Sequence, residues 1–199
     1  MEEMKTIPER ISYIGRRMFE RKLTDMAGGN ISARDSDRVY MTPRYSGAHS
    51  HWQLDPADIV SFALGSAEII EDPRFSREGL MHLAIYKNFP DAKAIIHAHP
   101  LHVLPFAAAL KPIEPVLEGT RKFGVIDLVK AAPTHTTELA ENVVAGLKGK
   151  IPLIQKTAAA VLIPYHGIVV VSRDLLVAID TLERIDWNAW CIIANRSLL

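Results

Sequence analysis

The sequence predicts a mixed α/β layered domain, and three observations support this. Short apolar runs come in pairs about polar turns, as antiparallel hairpins do. Stretches with helical spacing of apolar residues are interleaved among them. Neither a Gly-x-Gly-x-x-Gly fingerprint nor a Gly-Lys-Ser/Thr phosphate loop is present, so a regular nucleotide-binding βαβ winding is disfavoured. The chain has 199 residues, 48% of them hydrophobic. That is enough for a sizeable core in one compact domain over residues 1–199.

The elements follow in order. Ile7, Ile11, Ile14 and Met18 recur at helical spacing with Arg and Glu between them, which predicts an amphipathic first helix. Ala27-Gly28-Gly29-Asn30 is a turn signal. Residues 31–34 and 39–41 read as a hairpin about Asp35-Ser36-Asp37. Residues 43–51 are expected as a long irregular loop. Residues 58–63 and 67–70 suggest a second hairpin about Leu64-Gly65-Ser66. Ser76 is a candidate N-cap for a helix with Leu80, Leu83, Ala84 and Tyr86 on its inner face. Asn88-Phe89-Pro90-Asp91 ends that helix. A strand over 94–97, a short helix over 101–109 despite Pro105, and a poorly defined segment around Pro112 and Pro115 come next. A helix is expected over 136–147 and strands over 159–164 and 168–171. Ser172 or Asp174 could cap a long last helix running to Ile193.

Composition excludes several partners. Twenty-three basic and 23 acidic residues balance, leaving no electrostatic footprint for nucleic acid. Arg16-Arg17 and Arg21-Lys22 fit the solvated face of a helix. The single Cys191 excludes an intramolecular disulfide and fits a reducing compartment. Met1-Glu2-Glu3-Met4-Lys5 lacks a signal-peptide pattern, and no apolar run reaches the roughly 18 residues of a membrane span. The expectation is a soluble cytoplasmic protein without a membrane or nucleic-acid partner.

The most informative stretch is Ala94-Ile95-Ile96-His97-Ala98-His99-Pro100. Residues i and i+2 of a strand point to the same side, so His97 and His99 would face one small volume. Tyr165-His166-Gly167, closing another apolar run, offers a third imidazole. Three His ligands with an open fourth position are typical of catalytic zinc. An isolated His-x-His pair is weak evidence, because ordinary polar residues end strands too. The buried character of both runs strengthens it, since a buried His needs a partner.

Taken together, Gly28-Gly29-Asn30-Ile31-Ser32, Met41-Thr42-Pro43, Ser76-Arg77-Glu78, His97-Ala98-His99 and Tyr165-His166-Gly167 resemble, in order and spacing, the class II aldolase/adducin family. The resemblance runs from about the first helix to about residue 185. It implies a central, mainly antiparallel sheet flanked by helices. It implies one metal ion per subunit, usually zinc with another divalent ion as the alternative, held by His97, His99 and His166. Glu78 matches the acid/base. Gly29, Asn30, Thr42 and Ser76 match contacts to a substrate phosphate, and Arg77 stands beside them. The implied activity is that of an aldolase-type lyase on a small hydroxy-carbonyl compound, a sugar phosphate, in a homotetramer. Relatives on the same scaffold epimerise, dehydrate or decarboxylate. The adducin head is a non-catalytic binding domain, and retention of the three His with Glu78 argues against that reading here.

The chemistry is coherent with these residues. Making or breaking a C–C bond beside a carbonyl passes through an enediolate, whose charge a dication stabilises. Three neutral imidazoles leave the ion's positive charge intact. A carboxylate such as Glu78 moves the proton, and a Gly-rich turn offers backbone N–H groups to an anion. Each residue also has an ordinary reading. Glu78 would suit any helix N-terminus, and Gly28-Gly29-Asn30 any turn. His82 fits a packing role, His102 a pocket wall, and His49, His51 and His135 the surface.

The pattern departs from sugar-phosphate aldolases in three places. Their Thr-Pro-Thr-Gly turn is replaced by Thr42-Pro43-Arg44-Tyr45-Ser46-Gly47. Arg77 stands where a small hydroxyl residue is usual. Guanidinium groups bind carboxylate as well as phosphate, so the bound anion could differ. The Tyr that serves those aldolases as proton donor should fall near residues 116–118 and is missing; Glu118 is the nearest alternative.

Overall fold

In a computed structural model, which describes residues 6–195, Thr6 opens the first helix, α1 (Ile7–Glu20). The Thr6 hydroxyl accepts the Glu9 N–H at 3.4 Å, and the Glu9 carboxylate accepts the Thr6 N–H at 2.8 Å. This reciprocal cap satisfies two donors that a helix start leaves open. Ile11, Ile14 and Met18 are buried, as the spacing predicts.

Six strands follow: β1 (Asn30–Asp35), β2 (Arg38–Met41), β3 (Val60–Ala63), β4 (Ala94–Ala98), β5 (Ala158–Ile163) and β6 (Gly167–Ser172). They form one sheet in the order β3-β2-β1-β4-β6-β5, antiparallel at every pairing. Both faces of the sheet are covered. One core contains Ile11, Ile14, Ile31, Ile96, Ile168 and Val170, with Leu182 and Ile185 of α7 (Leu175–Asn195). The other contains Ile95, Val169 and Val171, with Ile85 of α3 (Gly79–Asn88) and Val143 and Leu147 of α5 (Thr137–Leu147). Consecutive strand residues therefore feed opposite cores, as a pleated strand requires. β4 and β6 are buried along their whole length, and each fully buried aliphatic side chain there contributes about 1.5–3 kcal/mol relative to exposure.

Several expectations need correction. Residues 67–70 do not pair as a strand. Glu68–Glu71 is a 3-10 turn, in which Ile69 is buried and Ile70 half exposed. Flanking Glu68 and Glu71 leave only one apolar side chain to bury, so no second hairpin strand forms. The loop over 43–51 contains a short helix, α2 (Ser46–Ser50), bounded by Tyr45 and His51 in left-handed backbone. The helix over 101–109 contracts to α4 (Leu104–Ala108), with Pro105 in its first turn, where its missing N–H costs nothing. A further helix, α6 (Ile151–Lys156), precedes β5 and was not anticipated. Asp174 caps α7, its carboxylate accepting the N–H groups of Leu176 and Val177 at 2.7 and 3.1 Å. No helix of the described residues is long and apolar enough to cross a membrane.

Candidate metal centre and anion cleft

The strand β4 carries His97 within its span and ends one residue before His99. His166 lies in the turn between β5 and β6, after Tyr165 in left-handed backbone. Since β6 pairs with β4, this turn brings His166 onto the other two. The ring centroids lie 5.1, 4.7 and 5.0 Å apart, and one nitrogen from each ring lies within 4.8 Å of the others.

The hydrogen bonds decide which nitrogens are free. His97 Nδ1 lies 3.1 Å from the Ile168 carbonyl; a carbonyl only accepts, so Nδ1 carries the proton and Nε2 keeps its lone pair. His99 Nδ1 lies 3.2 Å from the Asp25 carboxylate, with the same consequence. His97 Nε2, His99 Nε2 and His166 Nδ1 are buried without a hydrogen-bond partner among the described residues. Buried polar atoms are seldom orphaned. Three orphaned imidazole nitrogens in one cluster fit a metal ion. Burial, with the neighbouring imidazoles adding to it, holds His97 well below the usual imidazole range and His166 at about 4. The His97 and His166 rings are therefore neutral, as ligands must be.

Two glycines make room for His99. A Cβ on Gly28 would stand 2.5 Å from its Cε1, and one on Gly167 would stand 2.8 Å from its Cδ2 and 2.4 Å from the Ala98 carbonyl oxygen. Asp25 ties this corner together. Its Oδ1 accepts the N–H groups of Ala27 and Gly28 at 2.9 and 3.1 Å while contacting His99. Sequence reasoning did not identify Asp25; its only signal is its place just before the Gly-Gly turn.

Most of the expected site residues share one cleft of about 620 Å³, mouth included. Gly29, Asn30, Ser76, Arg77, Glu78, His97, His99 and His166 all line it, as does Arg44. Asn30 sits opposite His97 in the β1–β4 register. Its amide bonds the Ser76 hydroxyl at 3.0 Å, so Ser76 serves the cleft, while Glu78 occupies the cap position of α3. Arg44 and Arg77 lie 4.8 and 5.4 Å from the Tyr45 ring centroid. Thr42 is outside the lining set. It is fully buried, and its hydroxyl accepts the Ile31 N–H at 3.1 Å.

Glu78 is buried, and burial raises its carboxyl above the usual range, partly offset by the His135 main chain and the charge of Arg77. His135, expected at the surface, also lines the cleft, with Nδ1 2.8 Å from Glu78 Oε1. No signal in the sequence marks it. Other histidines lie elsewhere. His82 is fully buried, bonded through Nδ1 to the Ser32 hydroxyl at 2.7 Å, and burial lowers it to about 3. His102 pairs with Asp186 at 2.7 Å instead of lining the cleft. Glu118 is exposed in a 3-10 turn and is not part of the lining.

The chain is similar to known proteins over most of its length. The chain is 31% identical over 193 residues to a 3-oxo-tetronate 4-phosphate decarboxylase of Haemophilus influenzae, covering 91% of this chain and 84% of that one. It is 31% identical over 162 residues to an L-fuculose phosphate aldolase of Methanococcus maripaludis, covering 79% and 80% respectively. A solved L-fuculose 1-phosphate aldolase superposes with a TM-score of 0.79 at 25% identity, over 97% of this chain and 88% of that one. Residues 9–193 match the family model for the class II aldolase and adducin N-terminal domain, and the chain belongs to that family.

Proposed function

We propose that this protein is a zinc-dependent lyase that breaks a carbon–carbon bond beside the carbonyl of a small sugar phosphate. The observation that carries the reading is the cluster of orphaned nitrogens on His97, His99 and His166, opening into the same cleft as the buried carboxyl of Glu78. The three imidazoles would hold the ion, and zinc suits an all-nitrogen set with a position left open. Bound there, it supplies Lewis acidity to the oxygens flanking the reacting bond.

The chain's own residues do the rest. Glu78 takes the proton of the hydroxyl beside the breaking bond and returns a proton to the carbon left behind. Its raised affinity for protons suits a base that must also act as an acid near neutral pH. The Asn30 amide nitrogen donates one hydrogen to the Ser76 hydroxyl, which leaves its second hydrogen for a phosphate, beside the main chain of Gly29. Arg44 and Arg77 favour an anion at the mouth.

Those two arginines support a second reading, decarboxylation of a 3-oxo sugar acid phosphate. Two guanidinium groups in one cleft suit a substrate with a carboxylate as well as a phosphate. The protein is expected to assemble as a homotetramer. The half-exposed Trp187 and Trp190 on α7 support a subunit interface, and light scattering on the purified protein tests it.

The deciding experiment loads the protein with zinc and assays L-fuculose 1-phosphate for cleavage and 3-oxo-tetronate 4-phosphate for carbon dioxide release. Turnover of either, abolished by a chelator and restored by zinc, is the expected result. A protein that holds one zinc per chain yet turns over neither compound would overturn the assignment.

A further inference from the structure

We propose that His135 is the positioning residue for Glu78, holding Oε1 in place and carrying the carboxyl's proton out to solvent. The inference rests on Glu78 being the acid/base. It begins from a problem of access. The Glu78 side chain is 6% exposed, and Oε1 has no aligned hydrogen bond among the described residues. A buried base that takes a proton in one step must exchange it with something. The His135 side chain is 36% exposed, and its Nδ1 is 2.8 Å from Oε1. The ring therefore spans from the buried carboxyl to the wet mouth of the cleft. The contact has the length of a charge-assisted pair and is off-line, as catalytic contacts often are before substrate binds.

The backbone shows that this placement is imposed. His135 has φ +65°, the left-handed region that L side chains seldom occupy. The next residue, Thr136, locks the segment. Its hydroxyl donates to the Pro133 carbonyl at 2.7 Å and accepts the Leu139 N–H at 3.2 Å, capping α5. Such outliers concentrate where a side chain must be aimed. The charges around the pair act in a consistent sense. Burial raises Glu78, while burial together with Arg77 and Arg44 lowers His135, so the two proton affinities approach each other. His166 is the other titratable group acting with His135.

The step balances simply. Protonated Glu78 passes its proton from Oε1 to Nδ1 of neutral His135 and becomes a carboxylate again. The imidazolium then releases the proton of its other nitrogen to water. Run backwards, the same route delivers a proton to Glu78.

The test compares zinc-loaded wild type with H135F and H135N. Phe keeps the ring and loses both nitrogens. Asn keeps a polar group near Nδ1 but cannot pass a proton through. The Glu78 carboxyl is followed by carbon-13 NMR against pH, assigned with Glu78→Gln, and kinetics use the two sugar phosphates named above. The Glu78 midpoint should rise in H135F and stay near wild type in H135N. In H135F kcat should fall about 10–100-fold, the usual cost of losing such a partner, with KM changed less. H135N should keep the carboxyl midpoint yet still lose kcat. An unchanged midpoint in H135F overturns the proposal, as does wild-type kcat in H135N, which also decides the matter if H135F does not fold. Absence of turnover by wild type on both compounds counts against the lyase reading, whereas the carboxyl titration judges His135 by itself.

Discussion

At the scale of single residues, the three histidines and the carboxyl should separate cleanly. His97→Ala removes a fully buried imidazole of the proposed metal centre, so zinc content, read by elemental analysis, should fall together with activity. Glu78→Gln keeps the shape and loses the base. It should retain zinc and cut kcat by about 10²–10⁴-fold. Asp25→Asn weakens the carboxylate that orients His99, and competition with a chelator should show a loss of about 10–100-fold in zinc affinity. The cluster of three histidines was legible in the sequence because two of them are i, i+2 beside a strand and the third closes an apolar run. Asp25 and His135 were not. Each reaches its partner from a loop whose path depends on residues in left-handed backbone or on long-range packing, and neither leaves a local pattern. Thr42 shows the converse case. It sits where a phosphate contact is expected, yet its hydroxyl serves the Ile31 N–H, and only the fold reveals which partner it has.

At the scale of elements, α3 is bound to the sheet by a buried polar chain as well as by apolar packing. Ser32 of β1 meets His82 Nδ1 at 2.7 Å and the Tyr86 hydroxyl at 2.8 Å. Burial holds His82 at about 3, below its ordinary 6.5. The folded protein therefore keeps this ring neutral, while the unfolded chain binds a proton below about 6.5. Its contribution to stability is complete above that pH and is lost progressively as pH falls toward 3. The slope is at most about 1.4 kcal/mol per pH unit. Denaturant melts between pH 7.5 and 5 should show a smaller loss for His82→Gln than for wild type, once both are compared with their own neutral-pH values. The cap of α7 offers a second check. Asp174→Ala should cost about 0.5–2 kcal/mol, read as a lower denaturant midpoint with an unchanged slope. Elements with clear periodicity, such as α1 and α5, were anticipated. The false strand at 67–70 arose because two adjacent isoleucines mimic a short β run, whereas the segment folds as a 3-10 turn that buries Ile69 and leaves Ile70 half exposed.

At the scale of the molecule, ion binding should stabilise the whole fold, because the ligands come from β4 and from the β5–β6 turn. Zinc at 100 times its dissociation constant should add about 2.7 kcal/mol. Thermal melts should rise with zinc, fall with chelator, and be insensitive to both in His97→Ala. Layering and hairpins were readable from alternation and turn residues. The strand order was not, since the β1–β4 and β4–β6 pairings join segments distant in sequence, and short-range patterns do not say which edges meet. The register matters beyond architecture. His97 stands opposite Asn30 on one side and Val169 on the other, and its Nδ1 meets a carbonyl 71 residues later in the chain. The three-nitrogen cage therefore exists only after the longest-range pairing in the sheet has closed. Zinc should arrive as a late passenger in folding. In stopped-flow measurements it should leave the refolding rate of the chain almost unchanged and slow unfolding by nearly the whole of the stability it adds. An ion bound there would act as a latch on a door already shut, and its presence should be felt chiefly as lifetime.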